Sequence, residues 1–197
     1  MEILTGAGLA ASSGLNAYIP LLVLGLLDRF TDLVTLPPGF AWLSNGWVLV
    51  ILGVLLFLEV VADKIPAVDS VNDWIKTLVR PTSGGIVFGA GSASQTATVT
   101  DPASFFTSQQ WVPIAVGVVM ALAVHVVKAT TRPVANAASV GTAAPVLSTA
   151  EDASALALSV AAVLLPILVV VVLLVAAIGL ALLYRDFRRR RRARSAA

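Results

Sequence analysis

Long uncharged stretches alternate with short polar segments along the whole chain. A helix rises about 1.5 Å per residue, so roughly 18 to 25 apolar residues cross about 30 Å of hydrocarbon. Six stretches meet this requirement, namely 3–27, 33–58, 81–100, 102–124, 133–150 and 153–184. The pattern therefore predicts an all-α fold, a polytopic transmembrane helical bundle of about six membrane segments.

Two of these stretches, 81–100 and 133–150, are rich in Gly, Ala, Ser and Thr rather than in large apolar residues. Such segments gain little from contact with lipid and fit better between other helices, where small residues allow close approach. Re-entrant segments that line a cavity are the alternative. The sequence leaves open whether these two stretches cross the membrane completely.

The composition excludes several classes of protein. Of the 197 residues, 58% are apolar and 12% are charged, and there is no cysteine. These values exclude a soluble globular enzyme, a disordered chain and a disulfide scaffold. Seven of the 13 Lys and Arg lie in a basic cytoplasmic tail, 185–197, which follows a single transmembrane domain, 1–184. We expect the tail to contact anionic lipid headgroups rather than nucleic acid, because it directly follows a span.

The positions of Lys and Arg predict the orientation. If all six stretches cross the bilayer, twelve cations fall on the side of the tail and only Arg29 falls on the other. Both termini of this multi-pass protein are then cytoplasmic. The run 3–27 is expected to be a retained first span, since no basic segment precedes it as in a signal peptide.

Glu59 is the most informative single residue. It follows Trp47 by twelve positions, which is about 18 Å along a helix and therefore inside the bilayer. A carboxylate there costs roughly 2.5 kcal/mol or more and needs a polar partner or a cavity. His125 lies at a similar depth on another helix. The neighbouring candidates for ion or substrate binding are Asp63, Lys64, Lys128 and Arg132.

Three interpretations of these charges are open. They form an ion-paired seam between two helices, or a site at which Glu59 exchanges a proton or a cation, or side chains that reach the membrane surface. Acids and bases nearly balance in this region, which favours mutual pairing or an anionic substrate held by the surplus positive charge.

The segment 66–79 is amphipathic, which predicts a short cytoplasmic helix at the membrane interface. In the alternative, Asp69 and Asp73 join Glu59 and Asp63 as oxygen ligands of a divalent cation such as Mg²⁺. We expect no other cofactor. Because no catalytic motif occurs, the sequence assigns no catalytic residue and favours a protein that is not an enzyme without deciding the matter.

The first stretch carries unusually polar residues between positions 12 and 20. Pro20 lacks an N–H and leaves the carbonyl of Asn16 without a helical partner. An interrupted helix of this kind offers backbone and side-chain groups to a solute, which makes Asn16 and Tyr18 candidate solute contacts. A simple kink is the alternative.

A short pattern recurs at an offset of 52 residues. Lys76, Arg80 and Pro81 coincide with Lys128, Arg132 and Pro133, and a glycine follows in both copies. The repetition indicates duplicated hairpins, which are common in transporters. Alternatively, each copy is an ordinary helix end, where cations stabilise the last turn and proline stops the helix.

The runs 14–20 (GLNAYIP) and 59–70 (EVVADKIPAVDS) resemble bacterial membrane proteins of the domain-of-unknown-function family 4126. The residues around Arg80, around His125 and at 148–152 are similar too, so that the resemblance covers about 5–170. It implies a small polytopic protein of the bacterial cytoplasmic (inner) membrane and assigns no reaction.

The sequence supports three hypotheses about function. The first is a transporter or channel for a small solute or ion, working as a homo-oligomer such as a homodimer, in which Glu59 is the coupling carboxylate and His125 its proton partner. The second is a metal-dependent membrane enzyme that acts on a phosphorylated lipid. The third is a structural membrane subunit, in which every charge is only a contact between helices.

Overall fold

The computed structural model describes residues 2–64, 66–92, 111–139, 144–171 and 174. The described part is helical, without a strand. Its elements are α1 (Glu2–Leu15), α2 (Tyr18–Phe30), a 3₁₀ turn (Ala41–Ser44), α3 (Gly46–Ala62), α4 (Pro66–Ser92), α5 (Trp111–Ala138) and α6 (Ala144–Leu164). After a break at Leu165, residues 166–171 are helical again. The predicted all-α class is confirmed.

The chain reverses direction at Asn16, so that α1 and α2 form a helical hairpin. α1 runs antiparallel to α4, since Gly6 lies against Phe88 while the Ser13 hydroxyl lies 3.3 Å from that of Ser83. α2 then runs back beside α1, as shown by leucines of both helices that pack in one core cluster. With 14 and 13 residues, each arm measures about 20 Å, too short to cross 30 Å of hydrocarbon.

The hairpin corrects the prediction of one continuous span over 3–27. It also places the amino end of α1 and the connection from α3 to α4 at opposite ends of the bundle, whereas the scheme of six crossings required them on the same side. The reason is local. Asn16 ends α1, and Pro20 falls in the first turn of α2, where a missing N–H breaks no helical hydrogen bond.

α1 lies at the centre, between α4, α5 and α6, and residues 6–14 of it are all buried. Its small residues permit this close packing. A Cβ at Gly14 would come within 2.5 Å of the Val124 Cβ and 2.6 Å of the Ala121 carbonyl oxygen. Gly84 of α4 meets the backbone of Gly117 of α5 in the same way. Helices built from such residues approach backbone to backbone.

The two small-residue stretches differ in structure. Residues 81–92 are the second half of α4, which continues through Pro81 and packs against α1 and α5, as expected for a helix between other helices. The stretch 133–150 is no span, because 133–138 end α5 and 144–150 begin α6. Both proline-containing copies of the 52-residue pattern thus lie inside helices, so their interpretation as helix ends is wrong.

The amphipathic segment 66–79 is likewise no separate interfacial helix but the first half of the 27-residue α4. α6 begins at Ala144. Ser148 and Glu151 therefore lie within the helix, and Glu151 is available for tertiary contacts.

Two helices of the described part are long and apolar enough to cross a membrane, Trp111–Arg132 and Ala144–Leu164. α3 is equally apolar but has only 17 residues, and Asn45 caps it by accepting a hydrogen bond from the Trp47 N–H at 2.9 Å. Large apolar side chains of α3 are exposed, namely Trp47, Val50, Ile51, Val54, Phe57 and Leu58. An exposed apolar face of this size is typical of contact with lipid or with another protein.

Candidate functional site

Ionisable side chains from four helices meet inside the bundle. We call this set the charge cluster: Glu59, Asp63, Lys76, Arg80, His125, Lys128, Arg132 and Glu151. All are buried except Glu151, which is partly exposed. Arg80 and His125 stand close to the midpoints of α4 and α5, so that the cluster lies halfway along the two longest helices rather than at their ends.

Glu59 is compensated by a cation, as the sequence predicted, but the cation comes from α4. Its side chain is buried, and Oε1 accepts a hydrogen bond of 3.0 Å from Nη2 of Arg80. Arg80 Nη1 lies 3.1 Å from Nδ1 of His125. A guanidinium only donates, so Nδ1 must accept, and the ring proton of His125 is on Nε2, which faces the Thr77 hydroxyl at 3.2 Å. His125 is therefore neutral in this arrangement.

Asp63 is the centre of the cluster. It follows the last residue of α3, and its two carboxylate oxygens contact four cations. Lys76 forms an ion pair with Oδ1, while Oδ2 lies 3.9 Å from Arg80, 3.8 Å from Lys128 and 3.6 Å from Arg132. The four cations are the two Lys–Arg pairs of the 52-residue pattern. The repeated spacing thus brings both pairs to one carboxylate from two antiparallel helices.

Glu151 of α6 completes the ion pairs. Its Oε2 lies 2.8 Å from Nζ of Lys128 and 3.4 Å from Nη2 of Arg132. Within the charge cluster, four cations face three carboxylates and a neutral His125. A buried cluster of this kind is expensive to desolvate and is held only if every charge keeps its partner.

The tip of the hairpin is attached to the charge cluster. The carbonyl oxygen of Leu15 accepts a hydrogen bond of 2.8 Å from Lys128, and that of Ala17 accepts one of 2.5 Å from the Ser83 hydroxyl. A cation at this position also stabilises the negative end of the α1 dipole. The groups freed by the break in the helix are therefore held by side chains of α4 and α5.

Asn16 holds the tip from the other side. Its Oδ1 accepts from the backbone N–H of Tyr18 at 3.0 Å and of Ile19 at 3.2 Å, and its Nδ2 donates to Asp152 of α6 at 2.9 Å. Asn16 is buried, whereas Tyr18 is half-buried against the apolar core. The predicted interruption is thus a turn that Asn16 caps, and the side chain of Asn16 is already bonded within the protein.

Oε2 of Glu59 and Nε of Arg80 are buried polar atoms of the cluster that have no hydrogen-bond partner among the described residues. An unsatisfied buried polar atom costs about 1–3 kcal/mol, so each marks a place where a proton, a water molecule or a ligand would be stabilised. Both belong to the same ion pair.

A groove of about 500 Å³ runs between α2, α3 and α6 beside the hairpin. Its walls are apolar, and its polar residues are Lys64, Thr149 and Asp152. Asp152 also binds Asn16, so the groove reaches the tip of the hairpin without opening onto Glu59. Pockets that bind small molecules commonly combine apolar walls with a few polar groups.

The structure brings most of the sequence-predicted candidates together. Glu59, Asp63, His125, Lys128 and Arg132 share one cluster, and Asn16 adjoins it. Lys64 does not join them, because its ammonium group is exposed and bonds the carbonyl of Val60. The side chains of Asp69 and Asp73 lie outside the described part. Within that part, no group of three or more His, Asp or Glu could hold a metal ion.

Sequence reasoning placed Lys76, Arg80 and Glu151 outside the candidate set. The recurring Lys–Arg–Pro spacing was a signal for the first two, since equal spacing on two packed helices lets both copies face one partner. No local pattern connects Glu151 of α6 with these cations.

Fold and cluster together define an all-helical protein with helices apolar enough to span a membrane and a buried ion-pair network. The chain belongs to the domain-of-unknown-function family DUF4126, whose model matches residues 3–186. No curated protein and no solved structure matches it.

Proposed function

We propose that this protein is a multi-pass transporter for a small solute, located in the cytoplasmic membrane, and that the α1–α2 hairpin is its gate. The observation that carries the proposal is the position of the hairpin tip. A helix that breaks halfway through the bundle brings the backbone carbonyls at the break to a buried charge cluster, and transporters bind solutes and coupling ions at such broken helices.

The tip is held by single hydrogen bonds, which a solute with suitable donors and acceptors can replace. Ser83, Lys128 and Asp152 hold Ala17, Leu15 and Asn16 by single hydrogen bonds. Opening the hairpin costs these bonds, and a solute that offers equivalent donors and acceptors would replace them. The apolar groove gives such a solute a path to the tip.

Glu59 would couple transport to a proton or cation. Its free Oε2 can accept a proton without first losing its bond to Arg80, which uses Oε1. His125 is a less suitable partner, because a proton on Nδ1 would face the Arg80 guanidinium. Glu59→Gln should therefore change the pH dependence of flux in reconstituted vesicles, whereas a purely structural charge would leave that dependence unchanged.

Accessibility of a single cysteine tests the gate without knowledge of the solute. The chain has no cysteine, so Ser83→Cys places one thiol under the hairpin tip. In proteoliposomes we expect a membrane-impermeant maleimide to label this buried position slowly from either side. Thr35→Cys, on an exposed loop, is the positive control.

As a control, the Ser83→Cys protein is denatured in sodium dodecyl sulfate and labelled, which shows that the thiol is reactive once the fold is lost. Absence of labelling from both sides in vesicles, with a reactive thiol in the denatured sample, would show a permanently sealed structural cluster. Labelling from one side alone would also contradict transport, because alternating access requires both.

A further inference from the structure

We propose that the four cations around Asp63 form a binding site for a small carboxylate, and that Asp63 is its built-in occupant in the closed state. The inference rests on the proposed function only in requiring that the bundle opens. It adds the chemical class of the solute, which that function leaves open.

The arrangement of donors carries the inference. A single buried carboxylate contacts Lys76, Arg80, Lys128 and Arg132, while the other two acids of the cluster contact fewer cations each. Both oxygens of Asp63 are engaged, one by Lys76 and the other by the remaining three. Such a set of charged donors recognises a planar carboxylate whether or not it is part of the chain.

Asp63 is well placed to leave this site. It is the first residue after α3, and the backbone there forms a turn rather than a helix. α3 packs mainly against α2 and the 3₁₀ turn, so withdrawal of its carboxyl end breaks ion pairs to α4 and α5 but leaves the close packing among α1, α4 and α5 in place. When Asp63 withdraws, the four cations remain on the two long helices and lose the carboxylate that they share, which a free carboxylate would replace.

Binding of acetate in place of the Asp63 carboxylate tests the proposal. Asp63→Ala removes the carboxylate and leaves its space. We expect acetate to raise the thermal unfolding midpoint of this variant in detergent and to bind it at least about tenfold more tightly than wild type in titration calorimetry, since a ligand that binds only the folded state stabilises it. Asp63→Asn keeps the space filled and should respond little. Asp32→Ala, an exposed acid, should not respond.

A second variant provides the test if Asp63→Ala does not fold. Asp63→Ala with Lys76→Met removes one charge of each sign, so the cluster keeps its balance and three cations still face the empty position. Acetate should stabilise this variant as well. If neither variant responds to acetate beyond an equal concentration of chloride, the proposal is overturned.

Phosphate is the comparison ligand. Stabilisation by phosphate without stabilisation by acetate would overturn the assignment to carboxylates, because a tetrahedral anion would then fit the donors better. These measurements are made at equilibrium in detergent. They hold even if the cysteine at position 83 is never labelled in vesicles, so failure of the gate and failure of the site are separate outcomes.

Discussion

α1 and α3 have similar lengths, 14 and 17 residues, but opposite environments. α1 consists largely of small residues and is buried between three helices from Gly6 to Gly14. α3 consists of large apolar residues, exposes most of them and packs against little besides α2 and the 3₁₀ turn. What attaches α3 to the centre of the bundle is its carboxyl end, where Glu59 and Asp63 enter the charge cluster. Close packing therefore holds α1, whereas ion pairs hold α3 at its carboxyl end.

The largest expected effect comes from breaking that point of attachment. Arg80→Met leaves Glu59 buried without its cation, which should lower the free energy of unfolding by about 3–5 kcal/mol. Unfolding in mixed micelles, followed by circular dichroism, measures it. The double variant Glu59→Met with Arg80→Met removes both charges and should recover most of the loss. If the double variant is no more stable than Arg80→Met, the ion pair is not what attaches α3.

The next effect tests the packing of α1. Gly14→Ala adds a Cβ that lies 2.5 Å from the Val124 Cβ and 2.6 Å from the Ala121 carbonyl oxygen, and the backbone of α5 cannot easily move away. We expect a loss of about 1–3 kcal/mol in the same unfolding measurement. An unchanged midpoint would show that α1 is packed more loosely than its contacts indicate.

A smaller loss is expected from Ser12, which attaches α1 to α6. Its hydroxyl lies 2.7 Å from the Ala155 carbonyl oxygen and 2.7 Å from the Ser159 hydroxyl. Ser12→Ala leaves these groups buried with one partner fewer and should cost about 1 kcal/mol. Ser12→Ala with Ser159→Ala should cost less than the sum of the single variants, because the two hydroxyls share one bond. Strict additivity would refute that coupling.

The smallest effect should have the opposite sign. Gly53 lies in the middle of α3, and a Cβ there would meet nothing within 4 Å. Gly53→Ala should therefore raise the free energy of unfolding by about 0.4–1 kcal/mol, through the entropy of the unfolded chain. It is the matched control for Gly14→Ala. Equal losses at both positions would contradict the contrast between the two helices.

Particular residues show how far the sequence could predict the site. A carboxylate in an apolar run indicated that Glu59 is buried and compensated, and the broken pattern near Pro20 indicated an interruption at Asn16. Neither signal named the partner. Arg80 precedes Pro81, and although a proline usually ends a helix, α4 continues through it where it packs against α1 and α5. Distant partners of this kind depend on contacts that local pattern does not encode.

The sequence by itself determined the helical class, the apolar character of the helices and the identity of most charges in the cluster, because these follow from residue type and periodicity. The tertiary structure decided that 3–27 folds back on itself, that 133–138 end α5 while 144–150 begin α6, and that four cations meet at Asp63. An uncharged run of 25 residues is long enough for one span or for two short arms. Which of these forms depends on whether neighbouring helices offer donors, such as Ser83 and Lys128, to the carbonyls that a reversal leaves free.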